Sequence, residues 1–151
     1  LALIGLFNVF GSYGAGRLGS VFPKRYLLAI IYFARSIAIS LFLWLPLTPA
    51  SAYVFSAIIG LLWLSTVPLT NALVGQIFGV RFLGMLSGLV FFSHQIGSFL
   101  GVWLGGRLFD MNGSYDMVWT ICIALGVLAA LLNLPIDERS LAQRRAESVA
   151  T

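Results

Sequence analysis

The sequence predicts an all-α membrane protein, a bundle of about five transmembrane helices of which the first is truncated at its N-terminus. Of its 151 residues, 60% are hydrophobic and only 9% are charged, whereas soluble domains carry roughly 25% charged residues. Several apolar runs reach the roughly 20 residues that a helix needs to cross a bilayer. No alternating pattern of the transmembrane-barrel kind is visible, which favours helices. This composition disfavours a soluble globule, a nucleic-acid binder and a disordered chain.

Polar breaks divide the predicted bundle, residues 1–135, into its helices. Residues 1–13 are apolar but too short to span alone, so we interpret them as the end of a span and the chain as a piece of a longer protein. Pro68 is expected to kink the third helix, and the length of the fourth predicts a tilt. Residues 136–151 form a polar tail. The full spans are predicted at about residues 26–45, 51–73, 82–108 and 117–134.

The placement of the basic residues predicts the orientation of the bundle. Seven cations lie in the loop after the first helix, the loop after the third helix and the tail, three segments that share one side of the membrane. The positive-inside rule therefore puts these segments and the C-terminus in the cytoplasm. The seven are Arg17, Lys24, Arg25, Arg81, Arg139, Arg144 and Arg145.

Polar side chains within the second and third helices are the first candidates for a solute path. Arg35 lies in the middle of the second helix, where a cation is costly and commonly faces the bundle interior. Its guanidinium could bind an anionic substrate, or it could have a structural partner such as a backbone carbonyl. Trp63, Thr66 and Thr70 follow one stripe of the third helix. They could line an aqueous path, or the hydroxyls could bond back to their own helix.

The fourth helix carries a polar face and a stripe of small residues. Ser87, His94 and Ser98 share that polar face, beside Gln95. His94 could relay a proton, or it could be a neutral histidine bonded to a neighbouring helix. No second histidine or carboxylate lies in any span, so we expect no metal site and no catalytic residue. The glycines could pack another helix closely or stiffen a gating element. They are Gly84, Gly88, Gly97, Gly101 and Gly105.

Two segments resemble the major facilitator superfamily. The loop motif Gly16-Arg17, followed by Lys24-Arg25, is similar to the second-half copy of that family's cytoplasmic loop motif. Residues 105–110 and 113–115 are similar to the end of its eleventh helix and the turn that follows. The resemblance, which is greatest to monocarboxylate-porter-like members, implies the C-terminal half of that fold. It makes the five helices the eighth to twelfth of twelve and gives the tenth a place along the cavity.

These observations predict a fragment of a secondary active transporter that moves a small solute by alternating access, with an anion as the leading hypothesis. The expected partners are the lipid bilayer, the missing N-terminal half of the transporter and the solute with a coupled proton; no cofactor and no nucleic acid are expected. The expected location is the plasma (inner) membrane. The alternative is a small membrane scaffold or regulatory subunit without transport activity. An enzyme is disfavoured.

Overall fold

The computed structural model describes residues 1–150, which form seven α-helices and no strand. A single 3-10 turn, Val80–Phe82, precedes the longest helix. The helices are α1 (Ala2–Leu18), α2 (Lys24–Trp44), α3 (Pro49–Trp63), α4 (Thr66–Phe78), α5 (Leu83–Asn112), α6 (Asp116–Asn133) and α7 (Leu141–Ala150).

Four stretches are long and apolar enough to cross a membrane. They are α2, α3 together with α4, the 3-10 turn together with α5, and α6. The predicted fold class, an all-α membrane bundle, is confirmed. The chain is therefore an integral membrane protein, because no other medium accommodates four such apolar helices with most of their surface uncovered.

Local sequence signals explain where several helices begin and end. Thr48 and Ser51 form a reciprocal capping box at the start of α3, with Pro49 as its first residue. Gly113 ends α5 in the left-handed conformation at φ 67°, which a glycine adopts without strain. The helix predicted at residues 51–73 is two helices, because the chain leaves helical geometry at Leu64 and Ser65. The tail also contains a helix, α7, that the sequence analysis did not predict.

The helices pack mainly as two pairs, α1 with α3 and α2 with α6, and α2 also contacts α3 and α4. Gly60 lets the first pair approach closely, because a Cβ at this position would lie 2.6 Å from the carbonyl oxygen of Ile4. One apolar cluster joins α1, α2 and α4 around Leu28 and Leu69. A second joins α2, α3 and α6 around Ile39.

The long helix α5 stands apart from these pairs. It contacts α4, the 3-10 turn and α6, and every residue from Gly88 to Leu104 is exposed. Four of its five stripe glycines face open space within residues 1–150, and the fifth, Gly105, lies near Val118. The predicted role of this stripe in helix packing stays a prediction.

Candidate functional site

The break between α3 and α4 lies near the middle of its membrane span. Pro68 has no N–H to donate to the carbonyl of Leu64, four residues earlier, so the regular helical ladder fails there. Val67 donates to the Leu64 carbonyl oxygen instead, at 3.1 Å, as in a 3-10 turn. The proline effect that the sequence predicts therefore occurs, but the helix is interrupted three to four residues before Pro68 rather than bent at it.

Arg35 of α2 binds the carbonyl groups that the break releases. Its Nη2 atom donates to the carbonyl oxygen of Leu62 at 2.8 Å and to that of Trp63 at 3.1 Å. The guanidinium carbon also lies 5.4 Å from the Tyr32 ring and 5.5 Å from the Trp63 ring, within cation–π range. The negative end of the α3 dipole thus faces a positive charge, which is the favourable arrangement at a helix C-terminus.

Two further polar side chains satisfy backbone groups at the break. Asn8 of α1 accepts a hydrogen bond from the Leu64 N–H through Oδ1, at 3.2 Å. Ser65, which is only 4% exposed, donates its hydroxyl to the Leu61 carbonyl. Gly11 allows this approach, because a Cβ there would collide with the Leu61 carbonyl and crowd the Ser65 hydroxyl. The break is therefore held by α1 and α2 together.

Asn8 and Ser65 are the residues that sequence reasoning missed. A signal for Asn8 existed, because it is the one amide in the apolar run that begins the chain, and a polar side chain in a span is a functional hypothesis by default. Ser65 had no such signal, since a serine beside Thr66 in a helix is an ordinary back-bonding residue.

The structure brings part of the predicted path to the break. Arg35 and Trp63 meet there, and Thr66 and Thr70 follow on α4, both half-buried. Arg35 retains one buried donor, Nε, with no hydrogen-bond partner within residues 1–150. These residues form the candidate site: a cation, an indole ring and two hydroxyls around an interrupted helix.

The polar face of α5 does not join this site within the described chain. His94, Gln95 and Ser98 are exposed, and the imidazole of His94 lies 6.3 Å from the Phe91 ring one turn away. Ser87 is half-buried, and its hydroxyl has no hydrogen-bond partner among residues 1–150. Their predicted place on a solute path stays a prediction.

The loop motif and the tail meet at the opposite end of α2 from Trp44. Gly16 and Arg17 are exposed, whereas Lys24 and Arg25 hydrogen-bond to α4 and to the tail. In the tail, hydrogen bonds from Arg139 lower the pKa of Asp137 to about 2, with a further contribution from the charge of Arg144.

Comparison with known proteins finds a relative of this chain. The chain is 29% identical over 140 residues to an uncharacterised MFS-type transporter, YcxA, of Bacillus subtilis (strain 168). The match covers 89% of this chain but 34% of that protein, so the chain spans about a third of the length of this relative. No family model and no solved structure matches the chain. The chain is therefore similar in sequence to a member of the major facilitator superfamily.

Proposed function

We propose that the chain is the C-terminal part of a secondary transporter that moves a small solute by alternating access. The observation that carries this proposal is the interrupted span, in a chain whose sequence is similar to an MFS-type transporter. Secondary transporters typically build their midplane sites from discontinuous helices, whose freed backbone groups and helix ends face a cavity. Here the break lies near the middle of a span, as does Arg35 in α2.

The solute is proposed to be an anion, with the monocarboxylates as the first class to test. The unpartnered Nε of Arg35 supports this, together with the N-terminal end of α4, which has no side-chain cap. A carboxylate would gain a charge-assisted hydrogen bond from the guanidinium and a favourable interaction with the α4 dipole. Thr66 and Thr70 would add hydroxyl donors along α4.

Transport in this proposal needs the N-terminal half that the chain lacks. The test is uptake of radiolabelled lactate into proteoliposomes, comparing the full-length protein with residues 1–151 alone. We expect saturable uptake by the full-length protein and none by the shorter chain. Uptake by residues 1–151 alone would show that the missing half is dispensable. If the full-length protein takes up neither lactate nor succinate, the anion hypothesis is wrong.

Coupling to a proton and the membrane orientation are further parts of the proposal. A pH-sensitive dye inside the same vesicles should report acidification that begins with lactate addition and requires the protein. For orientation, a fluorescent protein fused after Thr151 should be bright, because it folds in the cytoplasm, and a phosphatase fused there should be inactive. An active phosphatase would reverse the proposed orientation and move the C-terminus outside.

The alternative function is a small membrane scaffold or regulatory subunit without transport activity. The exposed glycine stripe of α5 favours it, because such a stripe suits close helix–helix assembly. The intact mass of the native polypeptide separates the two proposals. A mass several times 16.4 kDa, with further apolar spans, favours the transporter, whereas a mass near this value favours the scaffold.

A further inference from the structure

The tail folds back onto the end of the bundle where α2 begins and α4 ends. Ile136, three residues after the end of α6, is half-buried and packs on the apolar cluster that contains Leu28 and Leu69. The tail therefore has an apolar anchor inside the bundle, which a freely solvated tail would lack. Its polar contacts extend from this anchor.

The first set of contacts caps α2. The residue before this helix is Pro23, which provides no side-chain cap. Glu138 replaces it: its Oε1 atom accepts a hydrogen bond from the Arg25 backbone N–H at 2.7 Å. The Arg25 side chain returns the contact, donating from Nη1 to the Ile136 carbonyl oxygen at 3.1 Å. A carboxylate at a helix N-terminus satisfies a free donor and complements the dipole.

The second set of contacts holds the far end of α4. Gln76 donates from Nε2 to the Glu138 carbonyl oxygen at 3.0 Å, and its Oε1 accepts from Lys24 Nζ at 2.7 Å. One amide thus joins α4 to the tail and to α2. Helix α2 consequently holds the interrupted span at two places, through Arg35 at the break and through Lys24 at the end of α4.

The tail segment has its own internal clamp. The carboxylate of Asp137 accepts hydrogen bonds from the Arg139 side chain at 2.8–3.1 Å. The backbone carbonyl oxygen of Asp137 accepts one from the Arg144 side chain at 2.7 Å. These bonds fix the turn that directs Ile136 and Glu138 toward the bundle. Residues 136–144 are therefore an ordered connection between three helices.

We propose that residues 136–144 form a strap that locks α4 against α2, so that α4 can swing about the break at Leu64 and Ser65 only when the Gln76 contacts open. The strap follows from the contacts above, whereas its coupling to solute movement rests on the transporter function proposed here. The exposed hydrogen bonds of Gln76 are the weakest part of this connection, because exposed contacts lie at the low end of the local stability range, where moving elements are found.

Hydrogen exchange of the full-length protein in lipid nanodiscs tests the strap without any transport measurement. We expect Gln76→Ala to speed exchange of the amides at the C-terminal end of α4 roughly fivefold, the factor expected for loss of hydrogen bonds of ordinary strength. The matched control is Gln143→Ala. Gln143 lines the same surface cleft as Gln76 and Glu138, and it caps α7. Its hydrogen bonds, however, go to Ser140 within the tail. Unchanged exchange in Gln76→Ala, or an equal rise in both variants, overturns the strap.

A second variant keeps the test informative if Gln76→Ala does not fold, and an uptake assay separates the strap from the transporter function. Lys24→Met keeps the tail contact of Gln76 and removes only the contact to α2, so we expect a smaller rise in exchange in the same amides. If Gln76→Ala does not fold, unchanged exchange in Lys24→Met overturns the strap by itself. Lactate uptake is then measured with the same variants reconstituted into proteoliposomes. Faster exchange with an altered uptake rate supports both proposals. Faster exchange with an unaltered uptake rate retains the strap but refutes its coupling to solute movement, and faster exchange in a protein without lactate uptake retains the strap but refutes lactate as the solute.

Discussion

Two spans of this chain treat their polar groups in opposite ways. The span formed by α3 and α4 is interrupted near its middle, and side chains from α1 and α2 bind the backbone groups that the break frees. Helix α5 runs for 30 residues without interruption, and its residues from Gly88 to Leu104, with His94, Gln95 and Ser98 among them, are exposed within residues 1–150. Side chains of the described residues satisfy the freed backbone groups of the first span, whereas the described residues leave the middle of α5 uncovered.

The difference shows which polar side chains already hydrogen-bond to the backbone and which do not. The Nη2 donor of Arg35 and the amide oxygen of Asn8 already serve the backbone, so a solute that took them would have to replace contacts that hold the break together. The side chains of His94 and Gln95 do not support a break in this way within the described chain. We interpret Arg35 as a residue that mainly stabilises the break and keeps Nε as a buried donor without a partner within residues 1–150. The polar face of α5 remains a predicted part of a solute path.

The largest effect is expected from Arg35→Ala. The variant leaves the carbonyls of Leu62 and Trp63 without their charged donor in an apolar medium, which should lower stability by about 2–3 kcal/mol. Thermal unfolding of the full-length protein in detergent measures this loss. Arg35→Lys, which keeps the charge but not the planar guanidinium, should lose less. Normal stability and expression of Arg35→Ala with no lactate uptake would instead assign Arg35 to the solute.

Two glycine substitutions test the contrast between the interrupted span and α5. Gly60→Ala should destabilise the protein by about 1–3 kcal/mol, because the new methyl group meets the backbone of Ile4, which cannot move aside easily. Gly97→Ala is the matched control on α5, where a Cβ meets open space, and should stay within about 0.5 kcal/mol of the parent protein. A large loss from Gly97→Ala in the full-length protein would mean that a partner covers the stripe.

Asn8→Ala tests the third support of the break. Hydrogen bonds between side chains and neighbouring helices in membranes average about 0.6 kcal/mol, so the expected loss of stability is about 0.5–1 kcal/mol. Asn71→Ala, which removes an exposed amide from α4, is the control and should have no measurable effect. Equal melting temperatures for the two variants would show that Asn8 does not support the break.

Features of a single stretch of sequence can be predicted without knowledge of the packing. Apolar length is such a feature, and it decides where a helix is long enough to cross a membrane. Pro68 predicts a disturbance of the third helix for the same local reason. The break at Leu64 and Ser65 is not local, because it persists only where Asn8 and Arg35 arrive from other helices to satisfy the freed groups.

The same distinction explains the tail. Its charges of mixed sign are typical of a solvated segment, and the sequence predicts a cytoplasmic tail there. Glu138 caps α2 only because α6 returns the chain to the start of α2, more than a hundred residues earlier in the sequence. A contact between residues so far apart in the sequence depends on how the helices pack, and no pattern within the tail predicts it.

Acidification should loosen the strap from within. The pKa of Asp137 is about 2, held below its usual range by hydrogen bonds from Arg139, against about 3.9 for an unfolded aspartate. A lowered pKa in the folded state means that this contribution is complete above about pH 4 and is lost as the pH falls through about 2. Carboxyl NMR of the labelled aspartate should give this midpoint, with Asp137→Asn identifying the signal. A midpoint near 4 would contradict the clamp.

The smallest effect on stability is expected on α5, where function and structure separate most cleanly. His94→Gln should leave the melting temperature within the change caused by about 0.5 kcal/mol, because the imidazole is exposed within the described chain. If His94 relays a proton, the dependence of lactate uptake on pH between 5 and 8 should flatten in this variant, since histidine is the side chain that changes charge in that range. Ser98→Ala alters the same face without removing a titratable group and should keep the parent pH profile. A large loss of stability in His94→Gln would instead mean that a partner buries this face, and the contrast between the two spans would then be a property of the isolated segment alone.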